Sequence, residues 1–131
     1  MKLLLDTHIW LWMINKPQKI KQPVRRLLAN PRNEVYLSPV SVWEIILLAR
    51  GGRLGKFKDP YPWFDQAFAA SKLLEAPITQ EVSLEMGRFE VAHADPADRW
   101  LIATARTYGC KLVTEDEKII HSGCAELVVN E

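Results

Sequence analysis

Short apolar runs alternate along the chain with longer segments in which apolar residues recur at helical spacing. Leu3 to Leu5 end at Asp6 and lead into a second apolar segment, Ile9 to Ile14, which predicts a buried strand followed at once by a helix. Near the C-terminus, Cys110 to Thr114 and Ala125 to Val129 predict two further strands. Such alternation is typical of a parallel sheet covered by helices on both faces.

Proline and glycine residues mark the ends of the elements between these runs. Ser38-Pro39 opens the longest apolar helix, and Gly51-Gly52 closes it. The predicted helices are Val24–Ala29, Val40–Ala49, Trp63–Leu74, Gln80–Val91 and Pro96–Tyr108. A helical turn is predicted at Asp116–Ile120 and a loop at Arg53–Pro62. Two further strands are predicted, Glu34–Ser38 and the short Pro77–Ile78. No internal repeat divides the sequence, so we expect residues 1–131 to form a single α/β domain.

The composition is that of an ordinary globular protein, with 48% hydrophobic and 25% charged residues. The formal net charge of +1 argues against a strongly basic surface for nucleic acid but leaves local patches open. Two basic stretches are present: Lys16, Lys19, Lys21, Arg25 and Arg26, and then Arg50, Arg53, Lys56 and Lys58. Each is either a solvated surface or a contact for phosphate, and Arg50 and Arg53 are candidate substrate-binding residues.

Cysteine spacing and the apolar runs indicate the cellular compartment of the protein. Cys110 and Cys124 have neither a metal-ligand nor a CxxC spacing, so we expect reduced, partly buried thiols. The N-terminal apolar run meets Asp6 too early for a signal peptide, and no apolar run is long enough to cross a bilayer. We therefore expect a cytoplasmic protein without a membrane segment.

Four acids lie where parallel sheets usually carry their functional sites, beyond the carboxyl ends of the strands. Asp6 and Asp116 follow two different strands, whereas Glu44 and Asp98 lie near the N-termini of two helices. Taken alone, Asp6 and Asp116 are explained as helix caps, and Asp98 as a first-turn acid that the helix dipole favours. Glu44 is explained as the partner of Ser41 in a capping box.

Taken together, the four carboxylates favour a metal site. Glu44 lies on a helix that is apolar nearly all round, where an unpaired carboxylate is costly to bury. Converging carboxylates repel one another unless a cation neutralises them, and oxygen ligands suit Mg²⁺. Zinc is disfavoured because His8, His93 and His121 are scattered along the chain. One or two Mg²⁺ ions beside basic residues suit phosphodiester hydrolysis, so the residues alone predict a metal-dependent phosphoryl hydrolase.

Four stretches in the same order resemble PIN-domain proteins, most closely the VapC-type toxins of bacterial toxin–antitoxin pairs. They are Leu3–His8, Ser38–Glu44, His93–Arg99 and Leu112–Asp116, and the likeness extends over essentially the whole chain. Each stretch is a weak signal, but their order and spacing together are specific. The resemblance implies helices around a parallel sheet of about five strands, and endoribonuclease activity that depends on Mg²⁺ or Mn²⁺.

The resemblance also assigns the metal site. Four acids match the family's metal-site positions, and they are Asp6, Glu44, Asp98 and Asp116. The three aspartates are expected to hold the metal, while Glu44 ligates it or orients the water that attacks the RNA phosphodiester. The implied products carry a 5′-phosphate and a 3′-hydroxyl. Glu115 and Glu117 flank Asp116, and whether either takes its place as a ligand stays open.

Supporting roles follow from the same resemblance. Thr7 and Thr114 match hydroxyl positions that hydrogen-bond the carboxylates. Asp95 is expected to be a helper acid or a helix cap, and Arg99 to contact phosphate or a neighbouring acid.

Five tryptophans bear on partners. Trp43 and Trp100 are expected in the core, whereas Trp10 and Trp12 point to different sides of the first helix and cannot easily both be core. By resemblance, the C-terminal segment of a cognate antitoxin lies across the first helix and the region around Trp63, where it blocks the acidic site. The family's toxins also form dimers, so we expect a homodimer, an antitoxin and an RNA substrate.

Two alternatives compete with a ribonuclease. A phospho-accepting receiver domain also clusters acids around Mg²⁺, but it needs paired acids after the first strand and a late lysine, and Asp6 has no acidic neighbour. A non-catalytic PIN-like module that binds RNA or protein would carry the same fold. Hydrolysis separates this second alternative from the enzyme, whereas metal affinity does not.

Overall fold

The structure is a computed structural model that describes residues 1–53, 59–91 and 95–131. Within these ranges, five strands pair in parallel in the order β3-β2-β1-β4-β5. The strands are β1 (Lys2–Leu5), β2 (Glu34–Leu37), β3 (Leu74–Glu75), β4 (Lys111–Thr114) and β5 (Leu127–Val129). The parallel sheet of about five strands is thereby confirmed.

Helices connect the strands. In the described ranges they are α1 (Thr7–Asn15), α2 (Gln22–Ala29), α3 (Pro39–Arg50), α4 (Pro60–Ser71), α5 (Gln80–Met86), α6 (Pro96–Tyr108) and α7 (Glu117–Ser122), with a 3₁₀ turn at Pro17–Lys19 after α1. None of these helices has both the length and the apolar character needed to cross a membrane.

The central strand β1 divides the core into two layers because successive side chains of a strand point to opposite faces. Leu3 and Leu5 are fully buried in a layer with residues of α1, α2 and α3, against which aromatic residues of α4 pack. Leu4 is equally buried but belongs to the second layer, with residues of α5, α6 and α7. Helices therefore cover both faces of the sheet, as the sequence pattern predicts.

Strand register places the ends of the central strands side by side. Leu5 of β1 pairs with Val113 of β4, so the residues that follow each strand emerge at the same edge of the sheet. Ser38, which follows β2, starts α3 at that edge by accepting a hydrogen bond from the Val40 N–H at 3.1 Å. The carboxyl edge of the sheet thus receives the segments that carry the candidate acids.

Helix α4 begins earlier than predicted. The sequence interpretation assigned Arg53–Pro62 to a loop, but α4 starts at Pro60, and residues 54–58 of that loop lie outside the described ranges. The Asp59 side chain caps the helix by accepting from the Tyr61 N–H at 3.1 Å. Pro60 then fits the first helical position, where no N–H is needed. Proline residues that indicated a loop therefore belong to a helix start.

The segment after α4 also differs from the prediction. The helix ends at Ser71 rather than at Leu74, and Leu74–Glu75 form the edge strand β3. The short strand expected at Pro77–Ile78 is therefore misplaced by about three residues, since Pro77 cannot donate to a strand ladder. Helix α5 ends at Met86, followed by Gly87, and does not extend to Val91.

Trp43 is exposed, and the prediction that it lies in the core is wrong. Its exposed fraction is 59%, and Leu47, one turn further along α3, is 45% exposed. The buried residues of α3 are Ser41, Ile45 and Ala49, spaced four apart on one face, and Trp43 lies on the opposite face. An all-round apolar helix gives no periodicity from which its buried side can be read.

The other tryptophans follow the prediction more closely. Trp10 is fully buried, with its ring edge-on to Trp63 at a centroid distance of 5.8 Å, whereas Trp12 is only partly buried against the same layer. Trp100 is partly buried against the second layer. Trp10 and Trp12 are thus not both fully in the core, as their positions on α1 require.

Two leucines offer a matched test of the core assignment. Leu101 on α6 is fully buried, whereas Leu84 on the neighbouring α5 is 64% exposed. We expect Leu101→Ala to lower the free energy of unfolding by about 2–5 kcal/mol, because it removes buried methyl groups and leaves a cavity. Leu84→Ala should change it by less than about 0.5 kcal/mol. Urea denaturation measures both, and equal effects would contradict the assignment.

Candidate active site

Asp6 lies at the end of the central strand and is only 6% exposed. Its N–H donates to the carbonyl of Val113 at 2.9 Å, and its Oδ2 accepts a hydrogen bond from the Thr114 hydroxyl at 2.8 Å. Within the described part of the chain, the Asp6 carboxylate makes no capping bond to α1, so the helix-cap explanation does not account for it. Burial raises the pKa of Asp6 above its usual value, although the Thr114 bond opposes that rise.

Glu44 reaches back from α3 to the start of α1. The Thr7 hydroxyl donates to Glu44 Oε1 at 2.6 Å, and Thr7 Oγ1 also lies 2.8 Å from Ser41 Oγ. The capping residue of α3 is Ser38, so the capping-box explanation of Ser41 and Glu44 is wrong. Burial raises the pKa of Glu44, repulsion from Asp6 adds to the rise, and the Thr7 bond opposes it.

Asp98 lies in the first turn of α6, whose N-cap is Asp95. The Asp95 carboxylate accepts from the N–H of Ala97 at 3.0 Å, so the cap that the sequence allowed for Asp95 is present. Burial and, after it, four neighbouring carboxylates together raise the pKa of Asp98 to about 7. In order of effect they are Asp6, Asp116, Asp95 and Glu44. The acids predicted from separate stretches therefore lie close enough together for their charges to raise the pKa of Asp98.

Thr114 links two of these acids. Its hydroxyl donates to Asp6 and accepts from the Asp116 N–H at 3.0 Å, so a single side chain fixes the distance between the ends of β1 and β4. Asp116 in turn accepts from the Lys118 N–H at 2.8 Å and caps α7. Asp116 is therefore a helix cap, as the sequence allows, and it also lies close enough to Asp98 to raise the pKa of that residue.

The two glutamates beside Asp116 have other partners. Glu115 Oε2 accepts from Asn130 Nδ2 at 3.0 Å. Glu117 is exposed and lies 3.5 Å from His121 Nδ1 across one turn of α7. Of the three consecutive acids, Asp116 is the one whose charge raises the pKa of both Asp6 and Asp98.

Asn130 is a buried residue that the sequence interpretation missed. It is 5% exposed, its N–H donates to the Thr114 carbonyl at 2.9 Å, and its Oδ1 accepts from the Lys21 N–H at 2.8 Å. Its Nδ2 also donates to the Lys19 carbonyl at 2.9 Å. Asn130 therefore ties the segment that carries Asp116 to the turn after α1. In the sequence it is only a polar residue after the last strand, and such a residue indicates no more than the end of the strand.

The candidate basic residues have different surroundings. Among the described residues, Arg99 Nε is buried without a hydrogen-bond partner. Arg50 donates from Nη2 to the Tyr61 hydroxyl at 3.3 Å. Arg53 lines a groove beside α1 together with His8, whose charge lowers the pKa of Asp6 and Glu44. His93, Lys56 and Lys58 lie outside the described residues.

The donor set fits a hard divalent cation. The acids offer only oxygen ligands, they are partly or largely buried, and their charges oppose one another, which an ion between them would relieve. In the described ranges, no three His, Cys, Asp or Glu side chains already form a ready-made chelate. Mg²⁺ usually keeps several waters, so direct contact with all the acids is not required.

Comparison with known proteins identifies the family. A model of the PIN domain family matches residues 3–122. Ribonuclease VapC22 of Mycobacterium tuberculosis is 27% identical over 118 residues, which cover 89% of this chain and 88% of the relative. The fold is similar to that of VapBC2 from Rickettsia felis bound to a promoter DNA fragment, with a TM-score of 0.75, 19% identity and full coverage of both chains. The fold is also similar to that of DNA-bound VapBC from Salmonella typhimurium, with a TM-score of 0.73, 17% identity and 98% coverage of each chain.

The raised pKa of Asp98 predicts how stability depends on pH. Between about pH 4 and 7 the folded protein holds a proton that the unfolded chain has lost, so the free energy of unfolding should fall as pH rises through this range. Each pKa unit corresponds to about 1.4 kcal/mol. In chelator, Asp98→Asn should therefore reduce the slope and be more stable than the wild type at pH 8.

Urea denaturation between pH 5 and 8 measures this effect. Asp65→Asn, at an exposed position on α4, is the matched control and should keep the wild-type slope. Mg²⁺ added at pH 8 should stabilise the wild type more than Asp98→Asn. A wild-type slope in Asp98→Asn would show that Asp98 does not titrate with a raised pKa.

Proposed function

The chain belongs to the PIN domain family, and from this premise we propose that it is a single-domain, metal-dependent endoribonuclease that acts as the toxin of a toxin–antitoxin pair. The observation that carries the proposal is the convergence of Asp6, Glu44, Asp98 and Asp116 at the carboxyl edge of the sheet, where burial and neighbouring carboxylates raise the pKa of the first three. A cluster of acids whose ionised forms are destabilised in this way is typical of a functional site.

Three aspartates are the proposed ligands of Mg²⁺, or of Mn²⁺ in its place. Asp6, Asp98 and Asp116 come from the ends of β1 and β4 and from the start of α6. When bound, the ion supplies a water of lowered pKa and neutralises charge on the phosphate. Thr114 keeps Asp6 and Asp116 in register through its hydroxyl, so that neither carboxylate has to be ordered when the ion binds.

Glu44 has a separate proposed role. Its Oε1 is held by the Thr7 hydroxyl, which leaves Oε2 available to orient an attacking water or to complete the metal site. A carboxylate whose pKa is raised by burial is a better proton acceptor than an exposed one, which suits a group that takes a proton from that water. The proposed reaction is hydrolysis of an RNA phosphodiester to a 5′-phosphate and a 3′-hydroxyl.

RNA as the substrate is supported by the similarity to Ribonuclease VapC22. An antitoxin partner is supported by the VapBC complexes whose fold this chain shares. We propose that the antitoxin's C-terminal segment crosses α1. The region around Trp63 is a weaker candidate than the sequence indicated, because Trp63 packs on the buried Trp10.

A homodimer and a cytoplasmic location complete the proposal. Trp43, Leu47 and Tyr61 are exposed on α3 and α4, and exposed aromatic residues commonly anchor protein interfaces. Both cysteines are free thiols, which suits a reducing compartment.

Cleavage of RNA by the partner-free protein tests the activity. A mixed cellular RNA pool should be cut in Mg²⁺ and left intact in chelator. Asp98→Asn should lower the rate by at least about 100-fold, a loss of roughly 2.7 kcal/mol of transition-state stabilisation. The control Asp65→Asn makes the same chemical change at an exposed position and should cut as the wild type does.

Two outcomes would contradict the proposed ribonuclease activity. A well-folded wild type that binds RNA but cuts nothing in the pool would favour the non-catalytic module. Cleavage that persists in Asp98→Asn would mean that the acidic cluster does not carry the reaction. Sequencing of the fragments from an active wild type would identify the preferred RNA and the cleaved position.

The dimer interface has its own test. Trp43→Ser and Leu47→Ser should shift the protein from dimer to monomer in light scattering after size exclusion, because each removes an exposed apolar group from the proposed interface. Leu84→Ser changes a leucine on α5 that is even more exposed than Leu47, and this variant should remain dimeric. A dimer that survives both changes on α3 would place the interface elsewhere.

A further inference from the structure

Asn130 is a buried polar residue beside the acidic site that the mechanism above does not use. It is 5% exposed, and its Oδ1 accepts a hydrogen bond from the Lys21 N–H at 2.8 Å. Its Nδ2 donates to the Lys19 carbonyl at 2.9 Å and to Glu115 Oε2 at 3.0 Å. An asparagine amide has two N–H donors, so both are used here, and its oxygen is bonded as well. A buried amide that is bonded in this way holds a single conformation.

The partners of Asn130 require an amide at this position. The Lys19 carbonyl and the ionised Glu115 can only accept, whereas the Lys21 N–H can only donate. A flipped amide would set its oxygen against two acceptors and its N–H groups against a donor. Aspartate has the same shape but lacks both donors, so it would keep the bond from Lys21 and lose the other two.

The backbone of Asn130 adds a bond to the strand that ends at the acids. Its N–H donates to the Thr114 carbonyl at 2.9 Å, and the Thr114 hydroxyl contacts both Asp6 and the N–H of Asp116. Asn130 therefore holds two successive residues of one segment, Thr114 through its backbone and Glu115 through its side chain. Both are anchored by it to the turn after α1.

Three consecutive acids follow β4, and a cation would attract all of them. Glu115 is engaged by Asn130, and Glu117 is exposed and lies 3.5 Å from His121 Nδ1. Asp116 is the one of the three whose charge raises the pKa of the acids at the ends of β1 and at the start of α6. The bonds from Asn130 thus distinguish Glu115 from the acid that follows it.

We propose that Asn130 is a positioning residue of the metal site: it holds Glu115 on the turn after α1 and so presents Asp116 to the ion as the ligand from this segment. The proposal rests on the metal-dependent ribonuclease function proposed above, and it specifies which of three neighbouring acids binds the ion and what selects it. Asn130 acts through Thr114 and Glu115 and takes no part in the reaction itself.

The first test measures the affinity for Mn²⁺ without RNA, from the electron paramagnetic resonance signal of the free ion. Asn130→Ala should weaken binding at least about tenfold, the usual effect of losing a group that orients metal ligands. Asn33→Ala is the matched control and should bind as the wild type does. Asn33 Nδ2 also donates to a backbone carbonyl, that of Leu27 at 2.9 Å, but Asn33 precedes β2 at the opposite edge of the sheet. Wild-type affinity in a folded Asn130→Ala would mean that its bonds serve stability alone.

The second test uses aspartate at the same position, which keeps the shape of the side chain if Asn130→Ala fails to fold. Asn130→Asp should also weaken Mn²⁺ binding, because its carboxylate repels Glu115 instead of holding it. Adding Glu115→Gln should recover at least about a third of the lost affinity, since the new amide can donate to the introduced carboxylate. Glu115→Gln alone should stay within about threefold of the wild type, because its amide oxygen can still accept from Asn130.

Simple attraction between charges predicts the reverse order. Asn130→Asp adds a negative charge near the site and would tighten Mn²⁺ binding, and Glu115→Gln would then loosen it again. That result would overturn the proposal.

The third test asks whether Asn130 acts through Asp116. Asp116→Asn should weaken Mn²⁺ binding at least about tenfold in the wild type but no more than about threefold in Asn130→Ala, where the ligand is already misplaced. A role in stability alone would give the same factor in both backgrounds and would overturn the proposal.

Cleavage of RNA separates this proposal from the function on which it rests. In Asn130→Ala, Mg²⁺ well above the weakened Kd should restore most of kcat, while KM for RNA should stay within about twofold of the wild type. Wild-type Mn²⁺ affinity in Asn130→Ala, with cleavage intact, would overturn the positioning role and leave the ribonuclease standing. A wild type that binds Mn²⁺ but cuts no RNA, with affinity lost in Asn130→Ala, would overturn the ribonuclease and retain the positioning role. A wild type that binds no Mn²⁺ would overturn both.

Discussion

The register between β1 and β4 is the constraint on which the site depends. Leu5 pairs with Val113, and this pairing places Asp6 beside Thr114 at the carboxyl edge of the sheet. A slip by one residue would turn Leu4 into the wrong layer and carry Asp6 away from the Thr114 hydroxyl. The two hydrophobic layers therefore fix the position of a buried carboxylate.

Burial and repulsion then set the chemistry of the acids. A carboxylate removed from water is disfavoured as an anion, and neighbouring carboxylates add to that cost, so the pKa of Asp98 reaches about 7. The hydroxyls of Thr7 and Thr114 offset the cost only in part, since each donates a single proton. The folded protein thus carries a local strain that a divalent cation would remove, which couples the stability of the site to occupancy by metal.

Sequence patterns predicted the positions of the acids better than the identity of their partners. The order of strands and helices placed Asp6, Glu44, Asp98 and Asp116 at one edge because strand ends in a parallel sheet share that edge. Asn130 was missed because its bonds to Lys19 and Lys21 join segments more than 100 residues apart, and no local pattern encodes such contacts. Trp43 was misplaced for a related reason, since an all-round apolar helix does not reveal which face it buries.

The near-zero net charge conceals a separation of charges that a nuclease requires. Acids that bind a cation also repel the phosphates of RNA, so in the proposed ribonuclease the cations that contact RNA have to lie to one side of the acids. Asn130 connects the two regions: it accepts and donates bonds at the Lys19–Lys21 turn and donates to Glu115, beside Asp116. Lys19 in that turn lies against Trp12. The acidic edge and the turn that places Lys19 against Trp12 are therefore joined by one set of hydrogen bonds, and a change in one is expected to affect the other.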